Sequence, residues 1–235
     1  MFEFITEYFN YIANGFELFA ALTAVICYKT YKNTSTRYFI YFLCYIVFVE
    51  TVGIGFFYFS EFPVIAFLRD FGLRSVIWYN IFWMFGSVLF VMYYFHSLMK
   101  PKLYKTTIKI AVLVFMVAML GHFWIYPDMF LKTHASFYQL SGALATIFCI
   151  ALYFIQLLKS DAIVVMFTTF GFYASVGLFV WWLIVTPVLF FDVYNTTSDW
   201  DFANLKRRIF LFANIFMYTC FSVGLIISKP QLKND

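Results

Sequence analysis

Among the polar side chains inside apolar runs of the sequence, where such groups are often functional, five are candidates for a site. They are Glu17, Glu50, Asn80, Gln139 and Asn214. A charged side chain within a bilayer normally faces the bundle interior or water, because its exposure to lipid is costly. Neither glutamate has an intramembrane lysine or arginine to pair with, so each must be protonated, hydrated or hydrogen-bonded by its neighbours. The two carboxyl groups suit a proton-coupled step or a cation-binding cavity, and a neutral acid bonded across helices is the structural alternative.

The two asparagines lie in stretches that share one pattern. Residues 74–84 and 208–218 each begin with arginine, continue with five mostly apolar residues and then read Asn-Ile-Phe. The pattern predicts that Asn80 and Asn214 sit at matching depth in the membrane. Because an amide offers both a donor and an acceptor, the pair could bind a solute, or each could hold a neighbouring backbone.

The arginines of the two stretches, Arg74 and Arg208, are predicted to start the third and seventh spans. The dipole of a helix disfavours a cation at that end. We therefore expect these outer-rim charges to attract an anionic group, to pair with a nearby carboxylate such as Glu61, Asp70 or Asp201, or to extend to the lipid headgroups.

Composition places the chain among integral membrane proteins. Of its 235 residues, 64% are hydrophobic and 12% are charged, and its mean hydropathy is +0.84, whereas a soluble domain has about 25% charged residues. Seven spans with short loops use nearly this whole length, so no room remains for a soluble catalytic domain. No Ser-His-Asp set, glycine-rich phosphate loop or His-Glu-x-x-His motif occurs, and we do not expect an enzyme.

Seven apolar runs reach or approach the length of about 20 residues that crosses a bilayer. They are residues 9–29, 38–60, 76–99, 107–126, 136–158, 163–187 and 208–228. The run at 163–187 is the weakest candidate for a regular span, since Pro187 could bend its end. The histidines, His96, His122 and His134, fall at different depths along this arrangement, so we expect neither haem nor zinc, and no other cofactor.

Further matches extend the shared pattern to an internal repeat. Residues 17–27 align with 139–149, which places Glu17 opposite Gln139, and Thr51-Val-Gly aligns with Ser175-Val-Gly. These matches predict one membrane domain, 1–235, with repeat halves 1–100 and 133–235 joined by the fourth span. Parallel repeats are related by an axis along the membrane normal, and the five polar residues would then line one cavity between the halves. Chance is the alternative, because Phe, Leu and Ile are abundant.

Lysine and arginine are divided unevenly between the loops. Ten lie in the connections after the first, third and fifth spans and in the C-terminal tail, and six lie in the other connections. The positive-inside rule predicts an external N-terminus and a cytoplasmic C-terminus. We expect a plasma or inner membrane, with the lipid bilayer as surroundings. We attribute the net charge of +4 to this distribution of lysine and arginine among the loops, and we expect no nucleic-acid partner.

In its organisation the chain resembles the seven-helix superfamily of three-plus-one-plus-three membrane proteins, which includes SWEET and PQ-loop carriers, vitamin carriers and microbial opsins. The only Pro-Gln pair, Pro230-Gln231, lies in the tail and not in a helix as in a PQ-loop carrier. An opsin would have a Schiff-base lysine in the seventh span, and residues 209–228 contain none. The resemblance therefore implies a carrier more than a retinal protein.

Three functions remain open from the sequence. The first is a small-solute carrier or ligand-binding protein whose polar cavity holds the five residues. The second is a non-catalytic sensor in signalling, or an accessory subunit, that acts through a membrane or cytoplasmic protein partner. The third is an oligomeric effector, for which Gly53-Ile-Gly55 or the small residues after Ala20 could provide close-packing surfaces.

Overall fold

The computed structural model describes residues 8–132, 136–192 and 200–230, and these residues are almost entirely helical. Seven of their helices are long and apolar enough to cross a membrane. We label them α1 (Phe9–Tyr31), α2 (Thr36–Tyr58), α3 (Ser75–Leu98), α4 (Lys102–Ile125), α5 (Ser136–Leu158), α6 (Phe170–Asp192) and α7 (Trp200–Ile227). The predicted all-α membrane fold with seven spans is confirmed, and the internal repeat stays a prediction.

Several helix ends differ from the apolar runs, because polar residues can continue a helix beyond the hydrocarbon. The last helix, α7, begins at Trp200, so Arg208 lies two turns inside it and not at its start. Lysine and arginine are good helix formers, so Lys206, Arg207 and Arg208 are compatible with a helix that begins before the apolar run. In contrast, α6 begins only at Phe170, after a 3-10 helix at Asp161–Thr168, and it continues through Pro187.

Two short helices occur in connections that sequence patterns left unassigned. They are Pro63–Asp70, between α2 and α3, and Pro127–Lys132, between α4 and α5. Both begin with proline, whose fixed φ suits the first helical position and whose missing N–H has no partner there in any case. In the second, Lys132 forms an exposed ion pair of 3.1 Å with Asp128.

The third spanning helix, α3, contains a π-helical segment at Tyr79–Gly86. A π segment has i→i+5 hydrogen bonds, is rare, and is frequent at functional sites. The hydroxyl of Tyr45, on α2, donates a hydrogen bond to the carbonyl of Phe82 within the segment. The ring of Tyr45 also lies against Gly86, where an added Cβ would overlap its hydroxyl. The irregular segment is therefore held by α2.

The chain forms two compact units. One consists of the described residues up to Leu43 together with those from Ile150 onwards, and the other is Cys44–Cys149. The first unit contains α1, α6 and α7, and the second contains α3, α4 and most of α2 and α5. The boundaries of these units do not coincide with the predicted repeat halves.

In the first unit, α7 packs along both α6 and α1. Gly224 makes the α6–α7 approach close, because a Cβ there would stand 2.6 Å from the Cβ of Tyr173. At the end of α7, the hydroxyl of Tyr31 donates to the carbonyls of Leu225 (3.0 Å) and Ser228 (2.7 Å). Carbonyls at a helix C-terminus have no partner within the helix, so this buried tyrosine ties α1 to the end of α7.

In the second unit, α3 and α4 form an antiparallel hairpin whose connection is Met99–Pro101. The side chain of Trp78 lies between α3 and α2, where its indole nitrogen donates to the carbonyl of Val49 at 2.9 Å. Since Trp78 is 4% exposed, this bond satisfies an N–H that would otherwise be buried without an acceptor.

Candidate functional site

The candidate site in the second unit is a carboxyl–hydroxyl pair. The hydroxyl of Tyr79, at the start of the π segment, donates a hydrogen bond of 2.9 Å to Oε2 of Glu50, near the middle of α2. Glu50 is part-buried and forms no ion pair with the described residues. The tyrosine hydroxyl is thus the one hydrogen-bond partner that the described part of the chain gives this carboxyl group.

A glycine sets the position of Tyr79. Gly53 lies one turn after Glu50 on α2, and a Cβ at that position would stand 2.9 Å from Cε2 of the Tyr79 ring and nearer still to its hydroxyl. The ring therefore lies directly on the α2 backbone at Gly53. Trp78 and Val49 directly precede Tyr79 and Glu50, and the hydrogen bond between them also holds the start of the π segment against α2.

The first unit contains a second carboxyl–hydroxyl pair. Tyr218, on α7, donates a hydrogen bond of 3.0 Å to Oε2 of Glu17, on α1, and both residues are buried. One turn earlier on α7, Oδ1 of Asn214 accepts a hydrogen bond of 2.6 Å from the indole nitrogen of Trp181, on α6. Asn214 and Tyr218 are four residues apart and therefore lie on one face of α7, so this face links α7 to both of its neighbours in the unit.

Asn80 holds the connection between α4 and α5. The residue is 1% exposed, and its Nδ2 donates a hydrogen bond of 2.6 Å to the carbonyl of Phe130, in the short Pro127–Lys132 helix. The ring of Phe130 packs edge-on against Phe123 and Tyr138, with centroid distances of 5.2 Å in both cases. The short helix is thus anchored to α3 through its backbone and to α4 and α5 through a side chain.

Gln139 lies beside a histidine–tyrosine contact. Its neighbour Tyr138 is hydrogen-bonded to Nδ1 of His122 at 2.8 Å, and the His122 ring stacks on Phe137 at 4.1 Å. Gln139 itself is part-exposed and has no hydrogen bond to another described residue. The structure therefore places Gln139 next to the aromatic cluster without giving it a bonded role there.

The two arginines of the shared pattern have different surroundings. Arg74 precedes α3 as its N-cap residue and is exposed, in agreement with a position at the start of the third span. Arg208 is part-buried, and its Nε donates to the carbonyl of Asn204 at 3.3 Å, within α7.

The five predicted site residues are divided between the units. Glu17 and Asn214 belong to the first, and Glu50, Asn80 and Gln139 belong to the second. Within the first unit, Glu17 bonds to Tyr218 on α7, and Asn214, one turn earlier on α7, bonds to Trp181 on α6. In the second unit, Glu50 bonds to the hydroxyl of Tyr79, and Asn80, the next residue along α3, bonds to the carbonyl of Phe130. One cavity lined by all five residues stays a prediction.

Sequence reasoning missed the partners of these residues, namely Tyr79, Trp181, Tyr218 and the backbone of Phe130. The chain has 18 tyrosines and 6 tryptophans, so the type of residue carries little information. A usable signal was the spacing, since Tyr79 precedes Asn80 directly and Tyr218 follows Asn214 by one helical turn. The Phe130 carbonyl leaves no signal in a side-chain pattern.

A carboxyl group and a tyrosine hydroxyl can stay hydrogen-bonded in either protonation state of the carboxyl group. As a carboxylate, glutamate accepts the tyrosine proton; as a neutral acid, it has a proton of its own to donate, and the phenolic oxygen can accept. Such a pair can therefore take up and release a proton without losing its contact. The described residues include no group of three or more His, Cys, Asp or Glu side chains that could hold a metal ion, and His134 lies outside them.

No protein-family model, characterised protein or solved structure matches this chain. The likeness to three-plus-one-plus-three membrane proteins is accordingly one of span organisation alone.

Proposed function

We propose that this integral membrane protein is a carrier for a small solute and that protonation of Glu50 is coupled to movement of the solute. The observation that carries the proposal is the Tyr79–Glu50 hydrogen bond inside two spanning helices. An ionisable group at such a position is expensive to keep, and in transporters carboxylates at membrane depth serve as proton relays. The π segment that begins at Tyr79 supports the proposal, because a segment with weakened helical regularity can change shape as the solute passes.

Transport into proteoliposomes tests this proposal. Purified protein would be reconstituted, incubated with a defined mixture of amino acids, sugars, nucleosides, vitamins and organic acids, and the vesicle contents would be measured by mass spectrometry with and without an imposed proton gradient. We expect at least one solute to accumulate with the gradient, and we expect Glu50→Gln to abolish the effect of the gradient. Glu61→Gln is the matched control, since Glu61 is exposed and lies outside the spans.

Two results would contradict the carrier. One is the absence of accumulation of any solute above protein-free vesicles, with a correctly folded protein. The other is a Glu50→Gln variant that unfolds at lower temperature yet keeps the same gradient-dependent accumulation. In that case the carboxyl group would serve packing only.

The second candidate is an accessory subunit or sensor that acts through a partner protein. It is favoured by the hydrogen bonds of Glu17, Asn80 and Asn214, each of which connects to another element of the same unit. Polar groups used in this way hold a bundle together. The functional contacts of such a protein would then be made by its surface with a partner protein. Native co-purification followed by mass spectrometry separates the two, because a stoichiometric protein partner supports the subunit and a bound small molecule supports the carrier.

The oligomeric effector has less support. Gly53 and Gly55 form the predicted close-packing surface, but Gly53 contacts Tyr79 and Gly55 contacts Ile65 of the same chain. Ala20 is fully buried. These small residues are therefore already used in packing within the chain.

A further inference from the structure

A histidine and two lysines lie near the connected end of the α3–α4 hairpin. The Nε2 atom of His96 is buried and has no hydrogen-bond partner among the described residues. Lys105 and Lys109 lie on the first two turns of α4, across the connection Met99–Pro101 from His96, and their charges act on its imidazole ring. A buried polar atom without a partner is destabilising, and groups that can carry positive charge repel one another when they lie near each other.

No carboxylate of the hairpin offsets this charge. Between Asp70 and Asp128 the sequence has neither Asp nor Glu, and neither lysine forms an ion pair with the described residues. Lys105 is part-exposed and Lys109 is exposed, so their long side chains are accessible from the surface. The group that satisfies both ammonium ions and the imidazole N–H is an anion with several acceptor oxygens.

From this arrangement we infer that His96, Lys105 and Lys109 form a binding site for a phosphate group, presented by an anionic membrane lipid or by a free phosphate compound. In the bound form Nε2–H and the two ammonium groups donate to phosphate oxygens.

The depth of His96 argues against an acidic protein as the ligand. His96 lies two residues before the end of α3, inside the spanning helix Ser75–Leu98, and basic residues at the ends of spans meet the lipid headgroups. A protein surface would contact the exposed Lys100 and Lys102 in and after the connection before it could reach the buried Nε2 atom of His96. A phosphate group is small enough to reach it.

The test is a lipid titration followed by native mass spectrometry, with the detergent-purified full chain. Phosphatidylglycerol, phosphatidylcholine and inorganic phosphate would be titrated separately against the wild type and against Lys105→Gln/Lys109→Gln. The matched control is Lys29→Gln/Lys32→Gln, which removes the same charge from the connection after α1, on the same side of the membrane. Two lysine contacts of about 1 kcal/mol each correspond to about a thirtyfold change in affinity. If the contacts belong to one site, Lys105→Gln/Lys109→Gln should bind phosphatidylglycerol about thirtyfold more weakly than the wild type, and the control should bind it nearly as tightly as the wild type.

Two substitutions of His96 test the site independently of the lysines. His96→Gln keeps an amide N–H and should retain binding, whereas His96→Leu should lose it, and thermal unfolding without lipid shows whether either variant is misfolded. Binding of inorganic phosphate with the same variant pattern would support the site and identify a free anion as its source. Equal losses in both lysine double variants would overturn the proposal in favour of diffuse attraction to the membrane. Lysine-dependent capture of an acidic protein without bound phosphate would overturn it as well.

Discussion

The hydroxyl of Tyr218 donates a 3.0 Å hydrogen bond to the carboxyl group of Glu17, and both side chains are buried between α7 and α1. The second unit contains the same chemical pair, Tyr79 and Glu50, between α3 and α2. In each case the tyrosine is on the helix that also carries one of the two Asn-Ile-Phe stretches. Both carboxyl groups within the spans thus have a tyrosine hydroxyl on a neighbouring helix as hydrogen-bond donor.

Removal of the Tyr218 hydroxyl should destabilise the protein. In Tyr218→Phe the ring still fills its space, but the buried Glu17 loses a donor, at a cost of about 1–3 kcal/mol. A lower midpoint of thermal unfolding in detergent would show this. Tyr28→Phe is the control, since its hydrogen bond to Tyr41 is exposed and its loss should leave the midpoint nearly unchanged. Equal midpoints for both variants would mean that the Glu17 contact contributes nothing.

Substitution of Gly53 by alanine should separate Tyr79 from Glu50. The added Cβ overlaps the tyrosine ring and hydroxyl, so the ring must shift, and overpacking of this kind typically costs about 1–3 kcal/mol. Under the proposed function, Gly53→Ala should also reduce gradient-dependent transport, as Glu50→Gln does. Gly15→Ala is the control, because a Cβ on Gly15 meets no atom within 4 Å. Full transport by a folded Gly53→Ala variant would show that the pair is not needed.

Loss of the Tyr31 hydroxyl should loosen the end of α7. Tyr31→Phe leaves the carbonyls of Leu225 and Ser228 without their shared donor, and the net contribution of such bonds is about 1 kcal/mol each. Hydrogen exchange should therefore become faster for the amides of residues 225–229. Tyr173→Phe serves for comparison, since the hydroxyl of Tyr173 makes an exposed bond to Phe167. Unchanged exchange in Tyr31→Phe would contradict a capping role.

Replacement of Asn80 should release the short Pro127–Lys132 helix. Asn80→Ala removes the donor to the Phe130 carbonyl, and a helix of six residues has little stability of its own. We expect the amides of residues 127–132 to exchange faster with solvent and those of α1 to remain as protected as in the wild type. Asn14→Ala, on α1, provides the matched asparagine substitution. If residues 127–132 stay equally protected, the aromatic contacts of Phe130 alone hold the helix.

The membrane fold could be predicted because apolar length is a strong and local signal, and all seven runs correspond to spanning helices. The ends were less predictable: Lys206 to Arg208 look like a loop in hydropathy, yet they continue α7. The π segment at Tyr79–Gly86 depends on contacts with α2, such as that of Tyr45, which no local pattern records. Glu17 and Glu50 stood out as rare groups, whereas their tyrosine partners were hidden among many similar residues.

The π segment also determines what a length change would do to α3. Deletion of one residue between Ile81 and Phe85 would let the helix return to regular i→i+4 bonding, which is a local gain. Because an i→i+5 bond encloses one more residue per turn than an i→i+4 bond, this deletion would remove the extra residue and leave the two parts of α3 facing nearly the same directions as before. Trp78 and Tyr79 would then still face Val49 and Glu50, and the His96 end of the same helix would keep its place. A single-residue deletion here would thus remove the irregular segment and spare the contacts on both sides of it.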